Sequence, residues 1–176
     1  AGGLNGYAQI GHGGSLSNGN KGVLGNIVSV TAAGNVEVFS GARNQTYAMI
    51  GNGGYDADAV DTTNGGSVAN VTVTAGTGGA GSVLLRGSSV SGGVSPHPHA
   101  FVQIGNGGLG SSGRHGGTIQ VEAADDIELY IGKDSWNYAQ IGHGGYLANA
   151  PSSGLGHSGD ITLTTDNGSI ILSGSS

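Results

Sequence analysis

The densest carboxylate group in the chain is Asp56, Asp58 and Asp61, within the stretch GGYDADAVDTTNGG. Loops rich in oxygen ligands suit Ca2+, which makes these three the candidate cation ligands. The stretch fits neither the EF-hand spacing nor the GGxGxDxUx nonapeptide, so a solvated loop is the competing expectation. Asp125 and Asp126 stand in a short turn, where Asp is ordinary turn chemistry. His115 and His157 precede equivalent segments and are expected to lie close together. Two neutral imidazoles without a carboxylate nevertheless make a poor metal site. Pro96-His97-Pro98-His99 reads as a rigid exposed loop. The five cations (Lys21, Arg43, Arg86, Arg114, Lys133) are scattered, and no nucleophile, base and orienting group converge. Polysaccharide lyases and hydrolases need clustered carboxylates or a basic residue in a cleft, so the chain reads as no enzyme and as needing no cofactor.

A second group of residues repeats. YAQIGHGG occurs at Tyr7–Gly14 and again at Tyr138–Gly145, with YAMIGNGG at Tyr47–Gly54 and FVQIGNGG at Phe101–Gly108 between them. His12, Asn52, Asn106 and His143 share one position of this phrase. They are expected to form a hydrogen-bond ladder that satisfies corner amides. Ala8/Ile10, Ala48/Ile50, Val102/Ile104 and Ala139/Ile141 form the expected core set. That leaves an aromatic row, Tyr7, Tyr47, Phe101 and Tyr138, on the other face beside Gln9, Met49, Gln103 and Gln140. If exposed, the row would stack on sugar rings, which makes Tyr7, Tyr47, Phe101, Tyr138, Gln9, Gln103 and Gln140 the candidate ligand-binding residues. The competing expectation is that the inserts after each phrase cover the row.

These residues need elements to position them. Each phrase is followed by a variable Gly/Ser/Asn-rich insert and then by an alternating run. The runs are Val28–Ala32, Val71–Ala75, Ile119–Ala123 and Ile161–Thr165. A second run follows at Val36–Val38, Val83–Leu85, Ile127–Leu129 and Ile170–Leu172. Alternation of β-branched and polar residues bounded by Gly, Asn, Asp and Ser is the strand signal, and no apolar stripe of helical period occurs. A propeller blade wants four strands and its own motifs. Recurrence of like residues at like positions instead favours an all-β parallel β-helix, or β-solenoid, of three strands per coil and about four coils. Residues 1–176 then form a single segment whose imperfect repeats begin near Tyr7, Tyr47, Phe101 and Tyr138. Parallel crossovers favour right-handed winding. Ser29/Thr31, Thr72/Thr74 and Thr162/Thr164 point outward in this scheme, a flat array of the kind ice-binding solenoids use, interrupted by Gln120 and Glu122.

Composition narrows the partners. The 39 glycines lack the G-X-Y period of collagen, while 36% apolar and 9% charged residues argue against disorder. The net charge of −6 disfavours nucleic acid and anionic membrane surfaces, and no apolar run is long enough to span a bilayer. There is no cysteine to staple the fold. No polar capping segment ends the repeats, so the chain is expected to continue into a longer array or to associate end to end.

The G-x-I-x-V-x-A … I-x-L-x-x-G coils with YAQIGHGG-type phrases resemble the repetitive regions of large bacterial secreted adhesins, of the filamentous haemagglutinin and autotransporter exoprotein type. That resemblance implies a right-handed β-helix, a place outside the cell or on its surface, and a role in adhesion or in a biofilm matrix. The expected role is then a structural stalk or filament segment, with polysaccharide as a further partner only through the aromatic row. The resemblance carries no functional residue with it.

Overall fold

The computed structural model describes residues 6–41, 43–59, 66–88, 99–133, 136–149 and 156–174. Asp61 and Pro96–Pro98 lie outside them. Fifteen strands are described: β1 (Tyr7–Ile10), β2 (Ile27–Ala32), β3 (Val36–Phe39), β4 (Tyr47–Ile50), β5 (Ser67–Val68), β6 (Asn70–Ala75), β7 (Val83–Arg86), β8 (Phe101–Ile104), β9 (His115–Gly116), β10 (Ile119–Ala123), β11 (Ile127–Tyr130), β12 (Tyr138–Ile141), β13 (His157–Ser158), β14 (Ile161–Thr165) and β15 (Ile170–Ser173). They line up in parallel sheets ordered β1-β4-β8-β12, β2-β6-β10-β14 and β3-β7-β11-β15. Each phrase, first run and second run thus stacks on its counterpart, as the repeat predicts.

Register is kept without slippage. Tyr7, Tyr47, Phe101 and Tyr138 are successive partners, and so are Ile10, Ile50, Ile104 and Ile141. Val30, Val73, Val121 and Leu163 form another column. Alternation turns one set from each sheet inward. Val71, Val73, Leu85, Val102, Ile104, Val121 and Ile127 make one core, each no more than 1% exposed.

Two things differ from the expectation of three strands per coil. A fourth, short sheet, β5-β9-β13, runs through three of the coils. The inserts also stack: Leu16 N–H donates to Tyr55 O at 2.8 Å, Asp56 N–H to Leu109 O at 2.8 Å and Gly110 N–H to Tyr146 O at 2.9 Å. The insert therefore begins as part of the repeating coil, because these backbone amides gain partners one coil away.

The corner after β4 explains the invariant glycines of the phrase. Gly51 has φ 138°, and a Cβ on it would overlap the carbonyl oxygen of Gly105 in the next coil. Gly53 (φ 129°) meets Gly107 in the same way. Only glycine allows both the dihedral and the approach.

Candidate functional site

The chemistry-bearing side chains gather along two columns parallel to the coil axis. The first is the corner ladder. His12 N–H donates to Asn52 Oδ1 at 2.9 Å, Asn52 N–H donates to Asn106 Oδ1 at 2.9 Å, and Asn106 N–H donates to His143 Nδ1 at 3.3 Å. The side chains of Asn52, Asn106 and His143 then reach inward. Asn52 Nδ2 donates to Val68 O at 3.1 Å, and Asn106 Nδ2 donates to Ala69 O at 2.7 Å and Gly116 O at 2.9 Å. His143 Nε2 lies 3.0 Å from Gly117 O. Since Nδ1 accepts, the network assigns Nε2 as the protonated nitrogen of a neutral ring. Asn52 and Asn106 are fully buried. The expected ladder is present, and it has a second duty: it ties the corner to the short fourth sheet.

The second column was only half legible in the sequence. His115 and His157 are paired between β9 and β13, with rings stacked at 4.8 Å between centroids and 5° between planes. Ser67 pairs with His115 on the other side. Lys21 continues the column, because its N–H donates to Gly66 O at 2.8 Å as that of Ser67 donates to Arg114 O at 2.9 Å. Lys21, Ser67 and His115 are all buried. Lys21 Nζ donates to Ser17 O at 2.8 Å and to the Asp58 carbonyl. Burial lowers the Lys21 pKa, and the Asp58 charge works against that shift. His115 Nε2 lies 3.0 Å from Ser111 Oγ, while its Nδ1 and Ser67 Oγ find no hydrogen-bond partner among the described residues. Burial, followed by the neighbouring His157, pushes the His115 pKa down to about 4. Burial also lowers that of His143.

The aromatic row is a regular stack. Ring centroids are 5.0, 4.7 and 5.0 Å apart from Tyr7 through Tyr47 and Phe101 to Tyr138, with planes within 9°. It is not an exposed binding row, and this corrects the carbohydrate expectation. Tyr47 and Phe101 are at most 2% exposed, packed with Met49 and Leu109 and flanked by Tyr55. The turns after the second and third phrases, at Tyr55 and Leu109, fold back over the inner rings and make them a second core. The glutamines beside it are committed to backbone. Gln9 Nε2 donates to Gly51 O at 3.0 Å, Gln103 Nε2 to Gly144 O at 3.0 Å, and Gln140 Nε2 to His143 O at 3.2 Å. Tyr138 O–H donates to Gln103 Oε1 at 3.3 Å. Burial holds the Tyr47 and Tyr138 hydroxyls well above the usual tyrosine range, so these two rings stay uncharged.

Of the acidic trio, Asp58 Oδ1 accepts from Ser112 Oγ at 2.6 Å and Asp56 sits exposed at a turn with φ 48°. Among the described residues no three His, Cys, Asp or Glu side chains gather as a metal site. The outward Thr columns hold register, Ser29–Thr72–Gln120–Thr162 and Thr31–Thr74–Glu122–Thr164. In coil three Gln120 Nε2 donates to Glu122 Oε1 at 2.6 Å, which breaks the threonine array. Arg86 lies over the Tyr130 ring at 5.3 Å, a local cation–π contact. Among the described residues no helix is long and apolar enough to cross a membrane.

Fold and columns together define a parallel β-solenoid whose polar ladders are internal. Comparison of the chain with models of protein families, with curated proteins and with solved structures returned no match.

Proposed function

We propose that this chain is a non-enzymatic structural segment, a rigid stalk or fibre element of an extracellular bacterial adhesin or matrix protein. The observation that carries the reading is unbroken register. Three parallel sheets, two aromatic and apolar cores and a polar corner ladder all run through four coils without a slip. Load along the axis is then shared by side-chain stacks and by backbone hydrogen bonds in every coil. The described polar side chains that looked like ligand-binding groups are spent on the chain's own carbonyls and amides, which suits a girder better than a binding cleft. The adhesin resemblance supplies the location, secreted or at the cell surface.

Immunogold electron microscopy of intact producing cells tests this. Antibody raised against the folded segment should label material standing off the surface. Label confined to the cell interior overturns the reading.

A further inference from the structure

The stacked phrases meet at three internal junctions, β1 with β4, β4 with β8 and β8 with β12. At each one the third residue of the earlier phrase shares a face with the first residue of the later phrase. The three combinations are Gln9 with Tyr47, Met49 with Phe101, and Gln103 with Tyr138. At the last of them Tyr138 O–H donates to Gln103 Oε1 at 3.3 Å. At the middle one both polar groups are missing together. Phe101 has no hydroxyl, and Met49 stands where the other phrases have glutamine; the two pack in one buried apolar cluster. The first junction has both polar groups again, in equivalent places. Gln9 Nε2 faces the carbonyls of His12, Gly51 and Gly53, as Gln103 Nε2 faces those of Asn106, Gly142 and Gly144. A Cβ on Gly54 would lie 2.6 Å from the Tyr47 hydroxyl, and one on Gly145 would lie 2.5 Å from that of Tyr138. Gln9 Oε1 accepts no hydrogen bond among the described residues and the Tyr47 hydroxyl donates none, although both atoms are buried.

We propose that these residues are matched pairs across each junction, tyrosine with glutamine and phenylalanine with methionine, and that the match decides which coil can stack on which. Tyr47 O–H donates to Gln9 Oε1 as Tyr138 O–H donates to Gln103 Oε1. A mismatched junction leaves a hydroxyl or an amide oxygen unpaired in a dry interior, which is costly. The rest of the phrase cannot make this choice. Its isoleucine and its corner glycines are the same in all four copies, so a strand laid on the wrong copy would still bury its core face. Skipping a coil breaks the match in both possible ways. β8 laid on β1 would set Phe101 against Gln9, whose Oε1 then has no donor. β12 laid on β4 would set the Tyr138 hydroxyl against the Met49 thioether, a weak acceptor. The single Phe/Met junction in the middle of the row therefore marks the native order of the coils.

A double-mutant cycle at the first junction tests the pairing. Gln9→Met and Tyr47→Phe keep the size of each side chain, so both variants should fold. Made singly, each strands the other's polar atom; made together, they reproduce the Met49–Phe101 junction. In urea denaturation the double variant should have a folding equilibrium constant about tenfold larger than the two single effects multiply to. Gln9→Met with Tyr138→Phe, which belong to different junctions, should be additive. Ordering is read by refolding. Met49→Gln with Phe101→Tyr makes all three junctions alike while leaving each one matched. Its yield of native monomer on dilution from urea should fall severalfold below that of the parent. Additive effects at Gln9 and Tyr47 would overturn the pairing, and an unchanged refolding yield would overturn the ordering role. Neither readout depends on where the protein resides, so this proposal and the cell-surface reading can fail separately.

Discussion

The backbone N–H of Asn52 donates to Oδ1 of Asn106 across one coil at 2.9 Å, while Asn106 Nδ2 reaches the carbonyls of Ala69 and Gly116. One buried amide therefore satisfies a corner N–H and two carbonyls of the short sheet. Replacing it by alanine strands all three in a dry interior, where each unmade bond costs ~1–3 kcal/mol. Asn106→Ala should lose about 2–4 kcal/mol, allowing for partial relaxation. Asn106→His should lose less, because His12 and His143 already stand at this position. Urea denaturation of both variants checks this; equal losses would show that the side chain's bonds do not matter.

The aromatic row predicts a gradient from the inside of the stack to its end. Tyr47→Ala removes a buried ring held between Tyr7 and Phe101 and should cost ~3–5 kcal/mol, the usual range for an aromatic deleted from a core. Tyr7→Ala, with its ring 51% exposed, should cost less than half as much. Thermal unfolding of the two variants orders them. A similar loss at both positions would mean that the inserts do not cover the inner rings.

Glycine tolerance separates corners from loops. Gly51→Ala forces a methyl group against the Gly105 carbonyl at φ 138°, whereas a Cβ on Gly34 meets nothing within 4 Å. The first substitution should prevent folding or lower stability by more than ~3 kcal/mol, and the second should stay within ~0.5 kcal/mol of the parent. Circular dichroism and denaturation distinguish them directly.

The buried imidazoles make stability depend on pH. His115 is held down to about 4 by burial and by His157, while its unfolded counterpart takes up a proton near 6.5. A depressed folded pKa means that the unfolded chain binds the extra proton first. Stability is therefore fully present above pH ~6.5, falls as pH drops toward about 4, and levels off below that. The 2.5-unit interval between 6.5 and 4 corresponds to about 3 kcal/mol from His115 alone. His143, lowered in the same direction, adds to the slope. His115→Ser, which copies Ser67 of the preceding coil, should flatten most of the decline between pH 6.5 and 4.5. An unchanged slope in that variant would remove His115 as its source.

The stacking was legible because it is written four times: like residues at like intervals leave little choice but a common column. Which face of the phrase is covered was not legible. Alternation shows that Tyr47 and Ala48 point opposite ways, but both faces of β4 are apolar enough to be buried, and both are. Cover of the inner tyrosine and phenylalanine rings by the inserts, the alternative to an exposed row, is what Tyr55 and Leu109 provide, but which insert residues do so was hidden in a segment that looks like variable loop. The short sheet was hidden for a related reason. Lys21 and His115 each stand nine residues beyond their corner residue, but Ser67 stands fifteen and His157 fourteen beyond theirs, and two-residue strands leave no periodic signal. Only the pair of histidines betrayed the column. Its cation and serine could be placed only once backbone pairing fixed the levels.

Like residues lying directly over like residues is the claim on which the rest stands, and hydrogen bonds between coils report it directly. The amides of Gly51, Gly105 and Gly142 donate to the carbonyls of Ile10, Ile50 and Ile104 at 2.8, 2.8 and 2.9 Å. Nuclear magnetic resonance couplings across hydrogen bonds, recorded on 15N,13C-labelled protein, should connect those three nitrogens to those three carbonyl carbons. Couplings from the same amides to carbonyls within their own repeat, or to strands running the opposite way, would contradict the stacked solenoid.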